Sequence, residues 1–286
     1  MMKYDYVICG IHVCFDIPWE LKITEETHPF LAAAKTDAEP DWTVEFAVVE
    51  FLPAMAPGGV WVTDAYYLSD RAGKQVWHCP SREEQPYCCV KWDGANVLTC
   101  YYVPGQEQHI IYTKNLLELL GLEWFLLQFD GILLHASLVA WEGKGILFCA
   151  PSGTGKSTQA RLWQRYCGSR TLNGDRAGIR CEEGVWKAWG LPFAGTSGIY
   201  RNESVTIRAV VLLCQGNENS IVPVRPLDAF KGLFPQCNAR RWDGDFMDRL
   251  TQVLSELVGA VPCYRLTCRP DQEAVELLRD VIVKEA

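Results

Sequence analysis

Histidine is scarce in this 286-residue chain, which has five, and methionine scarcer still, with four. None of the thirteen cysteines stands in a C-x-x-C pair. Paired-ligand zinc spacing is therefore missing, and the chain is far too long for a disulfide miniprotein. The cysteines read instead as reduced, mostly buried thiols, the pattern of a reducing compartment. Basic charge is short as well. Lys and Arg number 27 against 35 Asp and Glu, a net charge of −8, which argues against generic nucleic-acid binding. No long hydrophobic run occurs. The longest apolar stretch, Leu116–Phe129, is interrupted by Glu118, Glu123 and Gln128, short of the ~20 residues a membrane span needs. The first residues, Met1 to Tyr6, carry no apolar leader core. The expectation is a cytoplasmic protein that binds neither membrane nor nucleic acid.

What is present is enough apolar material for a core, at 49%. The charge is divided unevenly. Residues 1–128 hold 8 basic and 18 acidic side chains, a net of −10, while residues 129–286 hold 19 and 17, a net of +2. Two regions are expected, and the Arg-rich second one is the natural place for a phosphate ligand.

Residues 1–128 read as β-rich, ending in a helix. Val44–Phe51, Gly59–Thr63, Gln75–Cys79, Tyr87–Trp92, Val97–Val103 and His109–Thr113 are short β-branched or aromatic runs. Turn signals lie between them, and Asp93-Gly94 marks a hairpin over 92–95. The isolated His28, His78 and His109 read as structural, since acid–base work needs partners. A helix is expected over 114–128.

Residues 129–286 mix strands and amphipathic helices, an α/β or α+β pattern. Apolar runs at 131–134, 137–141 and 145–150 precede a helix over 157–166. Strand-like runs follow at 170–173, 177–181, 205–214, 220–224 and 261–266. Helical stripes occupy 245–258 and the stretch after Pro270.

The most specific feature is an apolar strand running into Ala150-Pro-Ser-Gly-Thr-Gly-Lys-Ser157-Thr158 and then a helix. That is the context a phosphate-binding P-loop requires, with Ala150 where the strict pattern has its first Gly. Gly153 and Gly155 let backbone N–H groups of Ser152–Thr158 turn inward, and the helix N-terminus adds positive dipole. Lys156 supplies charge to the outer phosphates, and the Ser157 hydroxyl can hold Mg²⁺. The nearest downstream carboxylate for the metal is Asp175. Upstream, His135 in Leu134-His135-Ala136-Ser137 can fold back to the loop.

Together, Leu-His-Ala-Ser, a strand, Ser-Gly-Thr-Gly-Lys-Ser, a helix and a short path to Asp175-Arg176 resemble the HPr kinase/phosphorylase family, over about residues 130–225. That family's nucleotide core is similar to ATP-dependent phosphoenolpyruvate carboxykinase. More narrowly, the chain resembles HPr-kinase-like proteins found near peptide-modification genes. Gly195–Ile199 and Arg208 echo a later block of the family. The resemblance implies transfer of the γ-phosphoryl group of ATP, with Mg²⁺, to a hydroxyl such as a serine of a protein or peptide. Catalytic roles fall to Asp175, His135 and Lys156. Ser152, Gly153, Thr154, Gly155, Lys156, Ser157 and Thr158 bind the nucleotide, and Ser157 with Asp175 holds the metal. Asp175 matches the second of the family's paired aspartates, while Gly174 stands at the first. A nucleotide-dependent switch without kinase activity and a carboxykinase-like enzyme both stay open. So do the acceptor and assembly into a homo-oligomer. Arg240 and Arg241, in the stretch 238–242, are candidates for a phosphate-sensing lid.

Overall fold

The computed structural model describes residues 1–32, 39–70, 73–92, 94, 96–193 and 195–284. The chain divides into two compact units, Met1–Leu122 and Glu123–Ala286. Both carry large sheets, and helices complete a mixed α+β protein.

Among the described residues of the first unit, eight strands form one sheet: β1 (Met2–Ile8), β2 (Ile11–Ile17), β3 (Trp42–Val48), β4 (Val60–Val62), β5 (Ala65–Asp70), β6 (Gly73–His78), β7 (Cys88–Trp92) and β8 (Val97–Tyr102). Their order is β1-β2-β3-β8-β7-β6-β5-β4. β3 runs parallel to both β2 and β8, and the remaining neighbours are antiparallel. β8 shows the alternating burial of a half-covered sheet, with Leu98, Cys100 and Tyr102 inward. Trp19 meets the edges of Phe46 and Tyr102 at 5.4 and 4.9 Å. A smaller cluster forms around Trp77, whose indole N–H donates to the Pro53 carbonyl at 2.7 Å.

The strand expected over 109–113 is not one. A short 3-10 turn covers Glu107–His109, Tyr112 makes an isolated bridge with Lys22, and α1 (Thr113–Leu120) follows. The β-branched composition of the stretch was overridden by its place at a helix entrance, where Thr113 is buried in hydrogen bonds with Thr24 and Thr27. The single helix expected over 114–128 is two. Gly121 adopts φ +61° and ends α1 by a left-handed cap, and α2 (Leu122–Leu127) follows. β1, β2 and β5 had no counterpart in the sequence reading. Of the hairpin at 92–95, Asp93 and Ala95 lie outside the described residues; the flanking strands pair antiparallel, Trp92 opposite Leu98.

In the second unit, β9 (Gly131–Leu134), β10 (Ala136–Trp141), β11 (Lys144–Cys149), α3 (Lys156–Cys167), β12 (Arg170–Asn173), β13 (Ala177–Glu182), β14 (Val185–Trp189), β15 (Ser204–Gln215), β16 (Ser220–Pro223), α4 (Pro226–Leu233), α5 (Gly244–Ala260), β17 (Cys263–Cys268) and α6 (Gln272–Lys284) follow in turn. The strand order is β12-β10-β11-β15-β14-β13-β9, with β17 beside the second half of β15 and β16 beside β17. β11, β15 and β17 are mutually parallel. Parallel strands are covered on both faces, so β11 is buried almost throughout. One face packs α3 and α6 over Ile146, Phe148, Val211, Leu213 and Leu266, centred on the fully buried Trp163. Trp163 meets Trp141 edge-on at 5.3 Å and lies 6.2 Å from Phe148. α5 is started by Asp243, whose carboxylate accepts from the Phe246 N–H at 3.1 Å. β14 and α4 were not foreseen, and the last strand starts two residues later than expected because Pro262 has no N–H to give the ladder.

None of the thirteen cysteines is in a disulfide, and nine of them are buried. Burial holds Cys237 and Cys263 in the thiol form, pushing each up to about 12. No helix among the described residues is long and apolar enough to cross a membrane.

Candidate functional site

The site is built at one end of the second unit's sheet. β11 ends at Cys149 and α3 begins at Lys156, leaving residues 150–155 as a loop. Gly153 has φ +79° and Gly155 φ +121°. An added Cβ would meet nothing within 4 Å at either position, so conformation, not space, requires glycine here. Gly155 is also the N-cap of α3 and offers no side chain to its first turn. Those leading N–H groups lie beyond the reach of intrahelical bonding.

Lys156 is only 7% exposed, and its Nζ donates into the loop, to the carbonyls of Ala150 at 2.8 Å and Pro151 at 3.4 Å. Burial draws its proton affinity below the ordinary value; Asp175 and Cys149 act in the opposite sense. The loop thus concentrates one desolvated cation, a helix N-terminus and two glycines of free backbone. Ser152 and Ser157 are exposed, and Thr154 and Thr158 half-buried, on the same turn.

Asp175 comes from the turn after β12, and Asn173 builds that turn. Asn173 is fully buried. Its Oδ1 accepts from the N–H groups of Asp175 and Arg176 at 2.9 and 3.0 Å. Its Nδ2 donates to the carbonyls of Leu191 and Phe193 at 3.0 and 2.9 Å. Ser137, buried in β10, donates its hydroxyl proton to the Gly174 carbonyl at 2.7 Å. Two strands therefore hold Asp175 by backbone.

His135 sits between β9 and β10. Its N–H donates to the Gln236 carbonyl at 2.8 Å, and the Asn238 N–H donates to the Leu133 carbonyl at 2.9 Å. Its Nε2 lies 3.2 Å from Asp175 Oδ1. Burial lowers the proton affinity of the ring, and the Lys156 charge lowers it further, against the pull of Asp175. On the other side of the carboxylate, Arg176 Nε is 3.6 Å from Oδ2. The structure thus brings His135, Lys156, Asp175 and Arg176 into one electrostatic neighbourhood at the mouth of the loop.

A short 3-10 turn, Gly195–Ser197, lies against this carboxylate. A Cβ on Gly195 would fall 2.7 Å from Asp175 Cγ, and one on Gly174 would fall 2.4 Å from Ser197 Cβ. The chain then runs back along β12, with Tyr200 bridged to Asn173 and Arg201 Nε donating to the Thr171 carbonyl at 3.2 Å.

Of the further arginines, Arg240 corrects its sequence reading. It is 6% exposed, pairs with Glu123 at 2.8 Å and lies over Trp124, so it is a buried anchor and not a lid cation. Arg208 is taken up by the Trp141 ring, 5.2 Å from its centroid, and by Glu142 at 3.5 Å. The organisers Asn173, Ser137, Gln236 and Ser197 were not assigned roles from sequence. Asn before Gly-Asp is a legible turn signal; Gln236 carries none, because it acts through its backbone.

Beyond the other side of the loop opens a cleft of about 580 Å³. Gly153–Gly155 and the first turn of α3 form one wall, and the chain ends of β15 and β17, with Gln215, Asn217, Cys268 and Arg269, form the rest. Among the described residues no group of three or more His, Cys, Asp or Glu side chains is placed to hold a metal ion. The Ser157 hydroxyl and the Asp175 carboxylate are oxygen donors of the type Mg²⁺ prefers.

No curated protein matches the chain. Among solved structures it is similar to the Hpr(Ser) kinase/phosphatase from Coxiella burnetii, at 11% identity over 54% of this chain and 92% of that one, with a TM-score of 0.33. A likeness of that size carries no argument about chemistry. The family model of SynChlorMet cassette protein ScmC matches residues 100–271, more than half of the chain and all of the site, so the chain belongs to the ScmC family.

Proposed function

We propose that this protein is an ATP-dependent phosphotransferase that acts on a hydroxyl acceptor. The observation that supports it is the buried Lys156 inside a glycine loop, with the His135–Asp175 pair at its mouth. When bound, ATP with Mg²⁺ supplies an activated phosphoryl group. The chain's residues do the rest. Lys156 exchanges the Ala150 and Pro151 carbonyls for phosphate oxygens, a better partner for a cation. The N–H groups at the start of α3 add donors without cost of reorganisation. Ser157 and Asp175 hold the cation. Asp175 also takes the proton of the attacking hydroxyl, and His135, neutral near pH 7, holds the carboxylate by donating from Nε2. A serine side chain of a protein or peptide is the acceptor class this reading favours.

The test is transfer of labelled phosphate from ATP to serine-containing peptides, by the native protein and by Lys156→Ala and Asp175→Asn. Loss of transfer in both, with nucleotide binding kept in Asp175→Asn, is the expected result. Equal turnover in native protein and Lys156→Ala overturns the reading. A second reading has one observation in its favour: Gly174 offers no second carboxylate and Ser197 fills the space beside it. On that reading the protein binds ATP as a switch, and ATP binds with no transfer to any hydroxyl.

A further inference from the structure

We infer that the cleft beside Gly153–Gly155 seats the nucleoside half of the nucleotide, and that the Gln159 carboxamide reads adenine there. The inference rests on the phosphotransferase reading above and adds to it an orientation and a base.

Position comes first. The cleft lies at the carboxyl ends of the parallel strands β11, β15 and β17, where open α/β sheets take ligands. Its volume falls in the range of small-molecule sites. It shares the Gly153–Gly155 wall with the phosphate loop, yet neither Lys156 nor Asp175 lines it. A nucleotide laid from the cleft across the loop therefore presents its phosphates to Lys156 and its terminal phosphate to Asp175.

Charge points the same way. The cation at the cleft, Arg269, is engaged by Asp271 and Glu273, both at 2.9 Å. Its charge is answered by carboxylates, so this end suits an uncharged polar group and not a phosphate. Beside Thr154, Thr158 and Arg269, the polar lining is carboxamide: Gln159, Gln215 and Asn217. Gln215 is already used to brace the loop, its Nε2 reaching the Gly153 carbonyl at 3.4 Å.

Gln159 carries the base reading. It is 2% exposed, and its Oε1 has no hydrogen-bond partner. Its Nε2 donates to the Cys268 sulfur at 3.2 Å, a weak acceptor that is easily exchanged. Adenine presents an N6–H donor beside the N7 acceptor, the edge that a Gln carboxamide matches with two bonds; guanine presents two acceptors there. Rotation of the Gln159 amide from its buried position toward the cleft would give Oε1 the donor it lacks.

The test is calorimetric titration of the full chain with three Mg²⁺-loaded probes: ATP, GTP and inorganic tripolyphosphate. Native protein is expected to bind ATP about tenfold or more tighter than the other two. Gln159→Leu should bring ATP to the level of GTP while tripolyphosphate is unchanged. Asn217→Trp, an exposed loop position, should weaken ATP and GTP but not tripolyphosphate, and serves if the buried variant fails to fold. Equal binding of all three probes by native protein overturns this inference and leaves the phosphate loop standing. So does ATP affinity that ignores both substitutions. Binding of none of the three overturns the phosphotransferase reading as well.

Discussion

Gly174 and Ser197 touch so closely that a Cβ on the glycine would lie 2.4 Å from that of the serine. Gly174 has no left-handed backbone to excuse it; what it lacks is room. Gly174→Ala should therefore destabilise the protein by about 1–3 kcal/mol through overpacking. Adding Ser197→Gly should recover most of that loss. Denaturant midpoints of the two singles and the double form the cycle that checks it, and additive losses would count against the contact.

Asn173 is the second lever. Its carboxamide satisfies two N–H groups and two carbonyls around Asp175. Asn173→Ala should cost at least about 2 kcal/mol, since buried backbone groups lose their partners. It should also lower phosphoryl transfer while ATP still binds, because Asp175 loses its fixed turn. Asn173→Asp keeps the acceptors but not the donors and should fall between. Unfolding curves and transfer assays on the same samples separate the two effects.

The pH dependence follows from His135. Burial and Lys156 hold its ring below the ordinary 6.5 in the folded protein. As pH falls past about 6.5 the unfolded chain binds the proton first, so stability declines with falling pH. The decline stops once the pH is under the depressed folded value. His135→Gln should show a smaller loss of stability between pH 7.5 and 5.5 than the native protein. NMR titration of the ring should give a midpoint below 6.5, and a midpoint above it would contradict the burial argument.

The buried Arg240 pairs with the half-buried Glu123 at 2.8 Å, so removal of the guanidinium takes away a charge-assisted hydrogen bond and the packing over Trp124. Arg240→Ala should cost about 1.5–3 kcal/mol. Tripolyphosphate affinity should not change, because the guanidinium is committed to Glu123 and Trp124. A large fall in phosphate affinity, measured on protein shown to be folded, would restore a sensing role.

Residue order was enough to read the loop. Local chemistry dictates it: an apolar strand, glycines whose backbone must turn left-handed, and a lysine at the first helical position are neighbours in sequence. The same holds for the stripes that became α5 and α6, whose period of 3.6 is local. Asn173 before Gly174-Asp175 was equally open to reading as a turn. The strands β1 and β2 also carry a local signal: Tyr4, Tyr6 and Ile8 alternate with Lys3 and Asp5, and Ile11, Val13, Phe15 and Ile17 alternate with His12 and Asp16, the period of two that a strand requires.

Only the tertiary structure decided which residues meet. His135 reaches Asp175 because Gln236, far along the chain, holds its backbone beside β9. Arg240 was one arginine among many until Glu123 and Trp124 closed around it. The glycine at 174 looked like a missing acid in sequence. In space it is a contact, since the turn at Ser197 occupies the volume a side chain there would need. Sequence pattern determines local conformation through torsions and periodicity. Contacts between distant segments depend on how layers stack, and that depends on every face at once.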